Sequence, residues 1–476
     1  MASVIEKTIR KAVTPAIQAV ASINRTRLPK AADNPFLKGI HTPLVTEHTL
    51  ENLAVTGAIP AELDGRYIRI GPNPFNEGGK GHHWFLGDGM VHGVRIRNGK
   101  AEWYRNRYIR SQNLEEKGGP EAVGGPRRGF GDTVNTNILD IGGKTLALVE
   151  ASSFPVELDD DLESVAYSNF GGGLTGSFTA HPHRCPATGE YHAICYDGPT
   201  QDTIRHVAMD NAGTVLRETD IAVRNGPSIH DCALTENHVV ILDLPVTFSM
   251  QALIAGHKFP YRWNRNHRAR VGLLPRDGSS SEPVWHAVDP CYVFHVGNSF
   301  EESDGRVTID LCAYETIFDG DMAGPYGKAL GLERWTLDGK GGKVVRETID
   351  GAGQEFPRPD ERYFTKDYRY LWTMGLPDDG DLEFVAPMPF YRHDLSTGRR
   401  VQRDFGDGRI PGEFVFVPRS DEAPEGDGWV MGYVIDRNSG TSALEILDAM
   451  SLELVAAVHI PHLIPPGFHG NWIAAS

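Results

Sequence analysis

The sequence predicts an all-β protein built as a closed β-propeller, and three observations predict it. The chain of 476 residues contains 53 Gly and 31 Pro, which excludes a long helical bundle or coiled coil because helix interiors do not tolerate so many of these residues. From about residue 60, short β-type runs alternate with turns that contain Gly, Asp or Asn. No linker rich in Pro, Ser or one charge divides the chain. A sheet with so many strands must close or repeat to hide its edges, and a propeller does so at this length.

The β-type runs pair into hairpins along the chain. Helices of about 12 residues do not separate them, which excludes a doubly wound α/β sheet. Residues 247–270 are the least β-like interior segment and are predicted to be a partly helical excursion over one face. We expect residues 28–476 to form one domain, although no WD or kelch signature repeats to give the number of blades. The predicted hairpins cover residues 92–111, 135–151, 178–197, 205–221, 230–246 and 333–349.

Charge and composition exclude several classes of protein. Lys and Arg number 47 against 63 Asp and Glu, a net charge of −16, whereas a general nucleic-acid binder needs a basic surface to neutralise phosphates. We therefore expect no nucleic-acid partner. No apolar run approaches the roughly 18–20 residues of a membrane span. The five cysteines are odd in number and form no CxxC pair, which is typical of reduced, buried thiols in a cytoplasmic protein.

Residues 1–27 form an amphipathic N-terminal segment with helical periodicity. Ile5, Ile9 and Val13 recur at four-residue spacing, which predicts a helix, and Pro15 is expected to kink it. Charges inside the apolar run exclude a secretory signal. Two interpretations remain open. The helix lies in a membrane interface and holds a cytoplasmic protein at the inner face of a membrane, or it packs on its own protein or frays as a tail.

Four of the 19 histidines stand out by their sequence context. Each lies at the edge of a strand run or turn, and in a propeller their spacing would bring one residue from each of four blades to the central axis. Four imidazoles suit Fe, Zn, Cu or Ni rather than Mg or Ca, but a lone histidine is more often structural than a ligand. The four candidates are His181 in Thr-Ala-His-Pro, His230 in Ile-His-Asp, His295 in Phe-His-Val-Gly-Asn and His469 in Gly-Phe-His-Gly.

Longer motifs in the same chain resemble those of the carotenoid cleavage oxygenase family. The four histidine contexts match that family's ligand motifs in order, and the resemblance runs from about residue 34 to residue 476. It is closest to bacterial members. It implies a seven-bladed β-propeller with a loop-and-helix dome over a central iron site, so that residues 28–476 would be one catalytic domain. The other matching motifs are Tyr67–Pro74, His83–Gly93, Leu146–Glu150, Glu355–Arg358 and Glu413–Pro418.

The resemblance implies one Fe(II) per chain, bound by the four histidines just named. Glutamates that accept a hydrogen bond from a ligand imidazole orient the ring and raise its basicity. Thr136 matches a family position near a vacant coordination site, although an ordinary strand threonine is the alternative. No side chain is assigned an acid, base or nucleophilic role. The three glutamates that the resemblance assigns to the imidazoles are Glu150, Glu355 and Glu413.

Family chemistry implies a dioxygenase that uses O2 to cleave one C=C bond into two carbonyl products. In the stilbene-cleaving branch, a lysine commonly precedes the first of the three glutamates and meets a phenolate. This chain has Val149 there, and Phe294 adds apolar surface beside a candidate ligand. An apolar wall suits a polyene better than a phenol, so a carotenoid or apocarotenoid is the favoured substrate.

Three alternatives remain open. One is the same chemistry on a stilbenoid or other phenylpropanoid alkene. Another is a non-catalytic propeller that binds a lipid or a protein. The last is a non-redox isomerase or hydrolase on the same scaffold.

Overall fold

The computed structural model of the protein describes residues 16–30, 33–76, 79–129, 132–198, 200–320, 323–377 and 385–475. Within these residues, the strands form seven sheets of four to six strands and one two-stranded ribbon. The seven sheets are the blades of a β-propeller, so the predicted all-β fold with seven blades is confirmed. All six predicted hairpins are present as antiparallel strand pairs.

Blades 2 to 6 are four-stranded meanders in which strand order follows chain order. Blade 2 contains β6 (Asn137–Ile141), β7 (Lys144–Leu148), β8 (Val156–Leu158) and β9 (Ser164–Tyr167). Blade 3 contains β10 (His183–Arg184), β11 (Tyr191–Cys195), β12 (Thr203–Met209) and β13 (Val215–Ala222). Blade 4 contains β14 (Cys232–Leu234), β15 (His238–Asp243), β18 (Arg270–Pro275) and β19 (Val284–Ala287). Blade 5 contains β20 (Tyr292–Glu301), β21 (Val307–Ile317), β22 (Gly327–Leu337) and β23 (Val345–Asp350), and blade 6 contains β24 (Gln354–Pro359), β25 (Tyr370–Gly375), β26 (Phe390–Asp394) and β27 (Arg399–Arg403).

Blades 1 and 7 close the ring by combining strands from both regions of the chain. The C-terminal strand β33 pairs with β3 in blade 1, and the early strand β2 pairs with β32 in blade 7. These two pairings tie the first and last blades together. Blade 1 contains β1 (Thr49–Glu51), β3 (Gly65–Pro72), β4 (Gly89–Arg97), β5 (Lys100–Tyr108) and β33 (Gly470–Ala474). Blade 7 contains β2 (Val55–Gly57), β28 (Arg409–Pro411), β29 (Val415–Pro418), β30 (Gly428–Asp436), β31 (Thr441–Asp448) and β32 (Leu454–Ile460).

Burial decreases from the centre of the propeller to its rim. Every residue of β3 is buried, whereas every residue of β2 is exposed. Trp335 and Trp372 are among the largest fully buried side chains. Strands near the axis pack on neighbouring blades through both faces, so they carry apolar residues without strict alternation.

Short helices and loops form a dome over one end of the axis. Part of it is the excursion predicted at residues 247–270, which contains the ribbon of β16 (Val246–Phe248) and β17 (Tyr261–Trp263). Its helix α3 (Met250–Ile254) begins at Ser249, whose side chain caps the Ala252 amide. The other helices are α1 (residues 16–25) and α2 (Gln112–Glu116). The 3-10 turns are Pro35–Leu37, Gly39–His41, Trp84–Leu86, Phe170–Gly172 and Glu361–Tyr363.

Helix α1 is the described part of the N-terminal segment, and it packs on the dome. Asn24 Nδ2 donates to the Ile254 carbonyl at 2.8 Å, and Arg25 Nε donates to the Gly256 carbonyl at 2.9 Å. Gly256 permits this approach because a Cβ there would lie 2.6 Å from the Arg25 amide nitrogen. Residues 1–15, including the predicted kink, lie outside the described residues.

The outer face of α1 is apolar and exposed. Val20 is 46% exposed and Ile23 is 61% exposed. In the neighbouring α3, Met250 and Ile254 are also exposed. Across the described residues, no helix has the length and apolar character needed to cross a membrane.

Candidate functional site: a four-histidine centre

An inner strand of each blade begins near the propeller axis and places one residue there: β33 in blade 1, β29 in blade 7 and the first strand in blades 2 to 6. The meander repeats with one polarity around the ring, so equivalent strand starts meet at the same end of the axis. His295 and Glu355 lie in irregular stretches of β20 and β24, where the register with the next strand shifts. The seven residues, in blade order, are His469, Thr136, His181, His230, His295, Glu355 and Glu413.

The four histidines face one another at close range. The Nε2 atoms of His230 and His295 lie 3.1 Å apart, and those of His295 and His469 also lie 3.1 Å apart. The His181 ring centroid lies 4.6 Å from that of His230 and 4.5 Å from that of His469. One nitrogen from each of the four rings falls within 4.8 Å of the others. All four strand starts therefore converge on one point.

Three glutamates contact the far side of three of these rings. Glu150 Oε1 lies 2.8 Å from Nδ1 of His230. Glu355 Oε2 lies 2.6 Å from Nδ1 of His295, and Glu413 Oε1 lies 3.1 Å from Nδ1 of His469. An ionised carboxylate only accepts hydrogen bonds, so each Nδ1 carries the proton and each Nε2 lone pair faces the centre.

This arrangement fits a bound metal cation. Lone pairs of neighbouring Nε2 atoms at 3.1 Å repel one another unless a cation or a shared proton lies between them. The buried Nε2 of His181 has no hydrogen-bond partner among the described residues. Imidazole ligands with carboxylates behind them suit iron and its neighbours in the first transition row. The donor set therefore fits the Fe(II) implied by the sequence motifs.

Burial and the neighbouring carboxylates shift the pKa values of the rings in opposite directions. Burial lowers the pKa of His181 well below its ordinary value, and burial lowers the pKa of His469 to about 4. Burial also lowers the pKa of His230, but the charge and hydrogen bond of Glu150 outweigh it, so that this pKa is raised. Burial favours the neutral form of Glu413, yet Arg358 and His469 together hold its pKa at about 2. Glu413 is therefore ionised at neutral pH.

Sequence reasoning did not identify the groups that hold these glutamates. The Tyr196 hydroxyl donates to Glu150 Oε2 at 2.9 Å and contacts Ser228 Oγ at 3.0 Å. Glu355 Oε2 also accepts from the Phe356 amide at 2.7 Å. Phe356 has a φ of 52° and stacks on His295 with ring centroids 5.2 Å apart. Positive φ in an aromatic residue is strained, and such strain concentrates at functional sites. Tyr196 lies in a different blade from Glu150, so only the tertiary fold reveals the pair.

A cavity of about 740 Å³ lies between the histidine centre and the dome. Val149 and Phe294, the two predicted substrate-contacting residues, both line it and are almost fully buried. Thr136 lines it as well, and its hydroxyl donates to Asn135 Oδ1 at 3.0 Å. Other lining residues from the dome and blades include Phe85, Tyr196, Phe259, Tyr261, Phe356 and Phe468.

Other histidines close in sequence to the family motifs lie outside the four-histidine centre. His83 stacks on Phe259 with centroids 4.3 Å apart. His183 Nε2 lies 2.7 Å from Asp231 Oδ1 and belongs to a second cluster of candidate ligands, with Asp231 and Cys232.

All five cysteines are buried and unpaired, as the sequence predicts.

Fold and site together define a propeller oxygenase. The family model described as "RPE65: Retinal pigment epithelial membrane protein" matches residues 41–474. The chain belongs to this family, which is the carotenoid cleavage oxygenase family, and it is an enzyme of the oxygenase class. The family prediction made from the sequence motifs is confirmed.

Named relatives span nearly the whole chain. A carotenoid cleavage oxygenase of Mycobacterium tuberculosis is 38% identical over 93% of this chain and 98% of its own length. Carotenoid 9,10(9',10')-cleavage dioxygenase 1 of Arabidopsis thaliana is 31% identical over 92% of this chain and 89% of its own. The crystal structure of Pseudomonas brassicacearum lignostilbene dioxygenase superposes with a TM-score of 0.82, at 24% identity, over 93% of this chain and 99% of that one.

Proposed function

We propose that this alkene-cleaving dioxygenase uses Fe(II) to cleave one C=C bond of a carotenoid or apocarotenoid with O2. The observation that carries the proposal is the convergence of four imidazoles, three of them backed by glutamates, on the floor of an aromatic cavity. The names of the mycobacterial and plant relatives support a carotenoid as substrate. The four imidazoles converge on one point, so one Fe(II) per chain is proposed there.

The chain's own residues hold and tune the centre. His181, His230, His295 and His469 would hold Fe(II), which would supply the redox chemistry that activates O2. Glu150, Glu355 and Glu413 fix the three imidazole rings and raise their basicity. Thr136 occupies the place in the ring of strand starts that carries neither imidazole nor carboxylate, so it is the proposed neighbour of the open side.

The cavity wall positions an apolar alkene and excludes water. Phe294 packs edge-on against His230, with ring centroids 5.3 Å apart, so a bound polyene would run over the histidine centre. Val149 precedes Glu150 directly and keeps that wall free of charge. At Val149 a hydrocarbon would lose no hydrogen bond on entering, and the cation described in the cavity lining is Lys258.

Turnover assays test the proposal. Fe(II)-reconstituted protein is incubated aerobically with carotenoids, apocarotenals and stilbenes, and products are identified by mass. Paired carbonyl products from polyenes are expected. Cleavage of stilbenes alone would favour the lignostilbene-type alternative, and product formation without O2 would indicate an isomerase or hydrolase. A chain that turns over none of them would fit the non-catalytic propeller.

The exposed apolar face of α1 and α3 supports a second proposal, that the cytoplasmic enzyme docks on the inner face of a membrane. Ile17 of α1 and Leu253 of α3 line the cavity, so these helices border its entrance. Burying their exposed apolar side chains in lipid would be favourable. A lipid-dissolved substrate would then reach the cavity without crossing water.

A further inference from the structure

Near the histidine centre, polar side chains tie the region of His469 in blade 1 to blades 6, 7, 2 and 3. His469 directly precedes β33, which ends at residue 474. Among the described strands, β33 pairs with β3 alone. A strand paired on one side has unpaired backbone groups on the other. A metal ligand at the start of such a strand needs additional restraint.

Both backbone polar groups of Gly470 form hydrogen bonds that restrain it. The Gly470 amide donates to Glu413 Oε2 at 2.8 Å, and the Gly470 carbonyl accepts from Arg358 Nη2 at 3.0 Å. A Cβ at Gly470 would lie 2.7 Å from the Tyr67 hydroxyl, so only glycine fits this position. Gly470, the residue after His469, is therefore held at its N–H and at its C=O, which belong to two successive peptide groups.

The same guanidinium reaches the next residue and the supporting carboxylate. Arg358 Nη2 also donates to Asn471 Oδ1, and Arg358 Nε lies 3.6 Å from Glu413 Oε1. Asn471 Nδ2 in turn donates to Asn137 Oδ1 at 3.0 Å, and Asn137 Nδ2 donates to the Ala180 carbonyl at 2.8 Å. Blades 6, 7, 1, 2 and 3 are thus linked in sequence, up to the residue before His181.

Arg358 has no counterpart at the other two carboxylates. Among the described residues, Glu413 has an arginine or lysine within 4.0 Å, whereas Glu150 and Glu355 pair only with histidine. The asymmetry follows the construction of the ring. The inner strands at His230, His295 and His469 (β14, β20 and β33) each pair with one strand of their blade, but β33 comes from the other region of the chain and closes blade 1.

We propose that Arg358 is a positioning residue for the metal centre, which fixes His469 through Glu413, Gly470 and Asn471 and so sets the affinity for the metal. This inference rests on the proposed function, because it requires a metal at the four histidines. Partners of ligating histidines typically change metal affinity by about 10–100-fold when removed.

Chelator competition with Co²⁺ and hydrogen exchange of peptides covering residues 466–475 test the inference. We expect Arg358→Met to weaken Co²⁺ binding by about 10-fold or more and to speed exchange in these peptides, with peptides of blades 3 and 4 unchanged. Arg358→Lys retains the positive charge but lacks the planar guanidinium with its several donors. It should therefore bind Co²⁺ more tightly than Arg358→Met and less tightly than the wild type. Glu361→Gln is the matched control, because it removes the exposed partner of Arg358, 3.6 Å from Nη1, and should leave both readouts unchanged.

A second variant keeps the inference testable if Arg358→Met does not fold. Asn471→Ala removes one acceptor of Arg358 and leaves the ion pair with Glu413, so exchange at residues 466–475 should rise with a smaller loss of Co²⁺ affinity. Wild-type affinity and exchange in both Arg358→Lys and Asn471→Ala would overturn the role of Arg358. Wild-type protein that binds no Co²⁺ would instead overturn the metal site itself.

Discussion

The floor and the roof of the cavity are built in opposite ways. The floor consists of four histidines and three glutamates, and each glutamate lies 2.6–3.1 Å from one of three of the rings. The roof consists of dome residues that meet mainly through ring contacts. There, Phe85 meets Phe259 edge-on at 5.6 Å, and Trp84 stacks on Phe36 at 5.2 Å.

This difference separates the chemistry from the choice of substrate. Hydrogen bonds fix both distance and direction, so they suit a metal site that tolerates little displacement. Apolar ring contacts are less directional, and volume-conserving changes there usually cost little. Floor substitutions should therefore alter metal binding, and wall or roof substitutions should alter substrate preference while the metal remains.

The largest expected effect is at the floor. His230→Ala removes one imidazole and leaves Glu150 without its partner. We expect metal affinity to fall by roughly 100-fold or more and turnover to be abolished. Metal analysis after gel filtration measures the loss. His83→Ala is the control, since that ring stacks on Phe259 outside the centre. Retention of one iron per chain in His230→Ala would contradict the claim that the floor controls metal binding.

A substitution in the wall should change the substrate and spare the metal. Val149→Lys places a cation on an apolar surface, where it costs free energy unless an anion meets it. We expect kcat/KM for an apocarotenal to fall by about 10–100-fold, and kcat/KM for a phenolic stilbene to rise. Iron content should equal that of Val149→Leu, the uncharged control. Undiminished polyene turnover would argue against Val149 as a substrate contact.

Tyr196 contacts both the cavity and the metal-binding floor, so a substitution there separates the two roles. It lines the cavity, and its hydroxyl donates to Glu150. Tyr196→Phe preserves the ring and removes a hydrogen bond to a charged group, which is worth about 1.5–3 kcal/mol. Metal affinity should fall by about 10-fold with KM unchanged. A raised KM with wild-type metal affinity would place its role in substrate contact instead.

Features that depend on residues close in sequence can be predicted from the chain, whereas contacts between residues far apart in sequence cannot. Turn residues and strand patterns are local, so the hairpins and the partly helical excursion at residues 247–270 are readable from the chain. The family motifs supplied the blade number. Pairing of Tyr196 with Glu150 and of Arg358 with Asn471 joins residues 46 and 113 positions apart. Such pairs depend on blade packing, and no local pattern marks them.

The smallest expected effect lies outside the cavity, at the face of α1. Val20→Asp combined with Ile23→Asp should reduce liposome binding by about fivefold or more, because two exposed apolar side chains no longer enter lipid. Co-sedimentation with vesicles measures it. Val345→Asp, at a 57% exposed position on β23, is the matched control. Equal binding by all three proteins would contradict membrane docking through α1. Iron content should stay constant throughout.

The most direct test of the account is O2 uptake by Fe(II)-reconstituted protein with an apocarotenal, measured together with product carbonyls. The account predicts about one iron per chain and one O2 consumed for each alkene cleaved, with both activities absent in His230→Ala. Iron-loaded protein that consumes no O2 with any polyene or stilbene would contradict it.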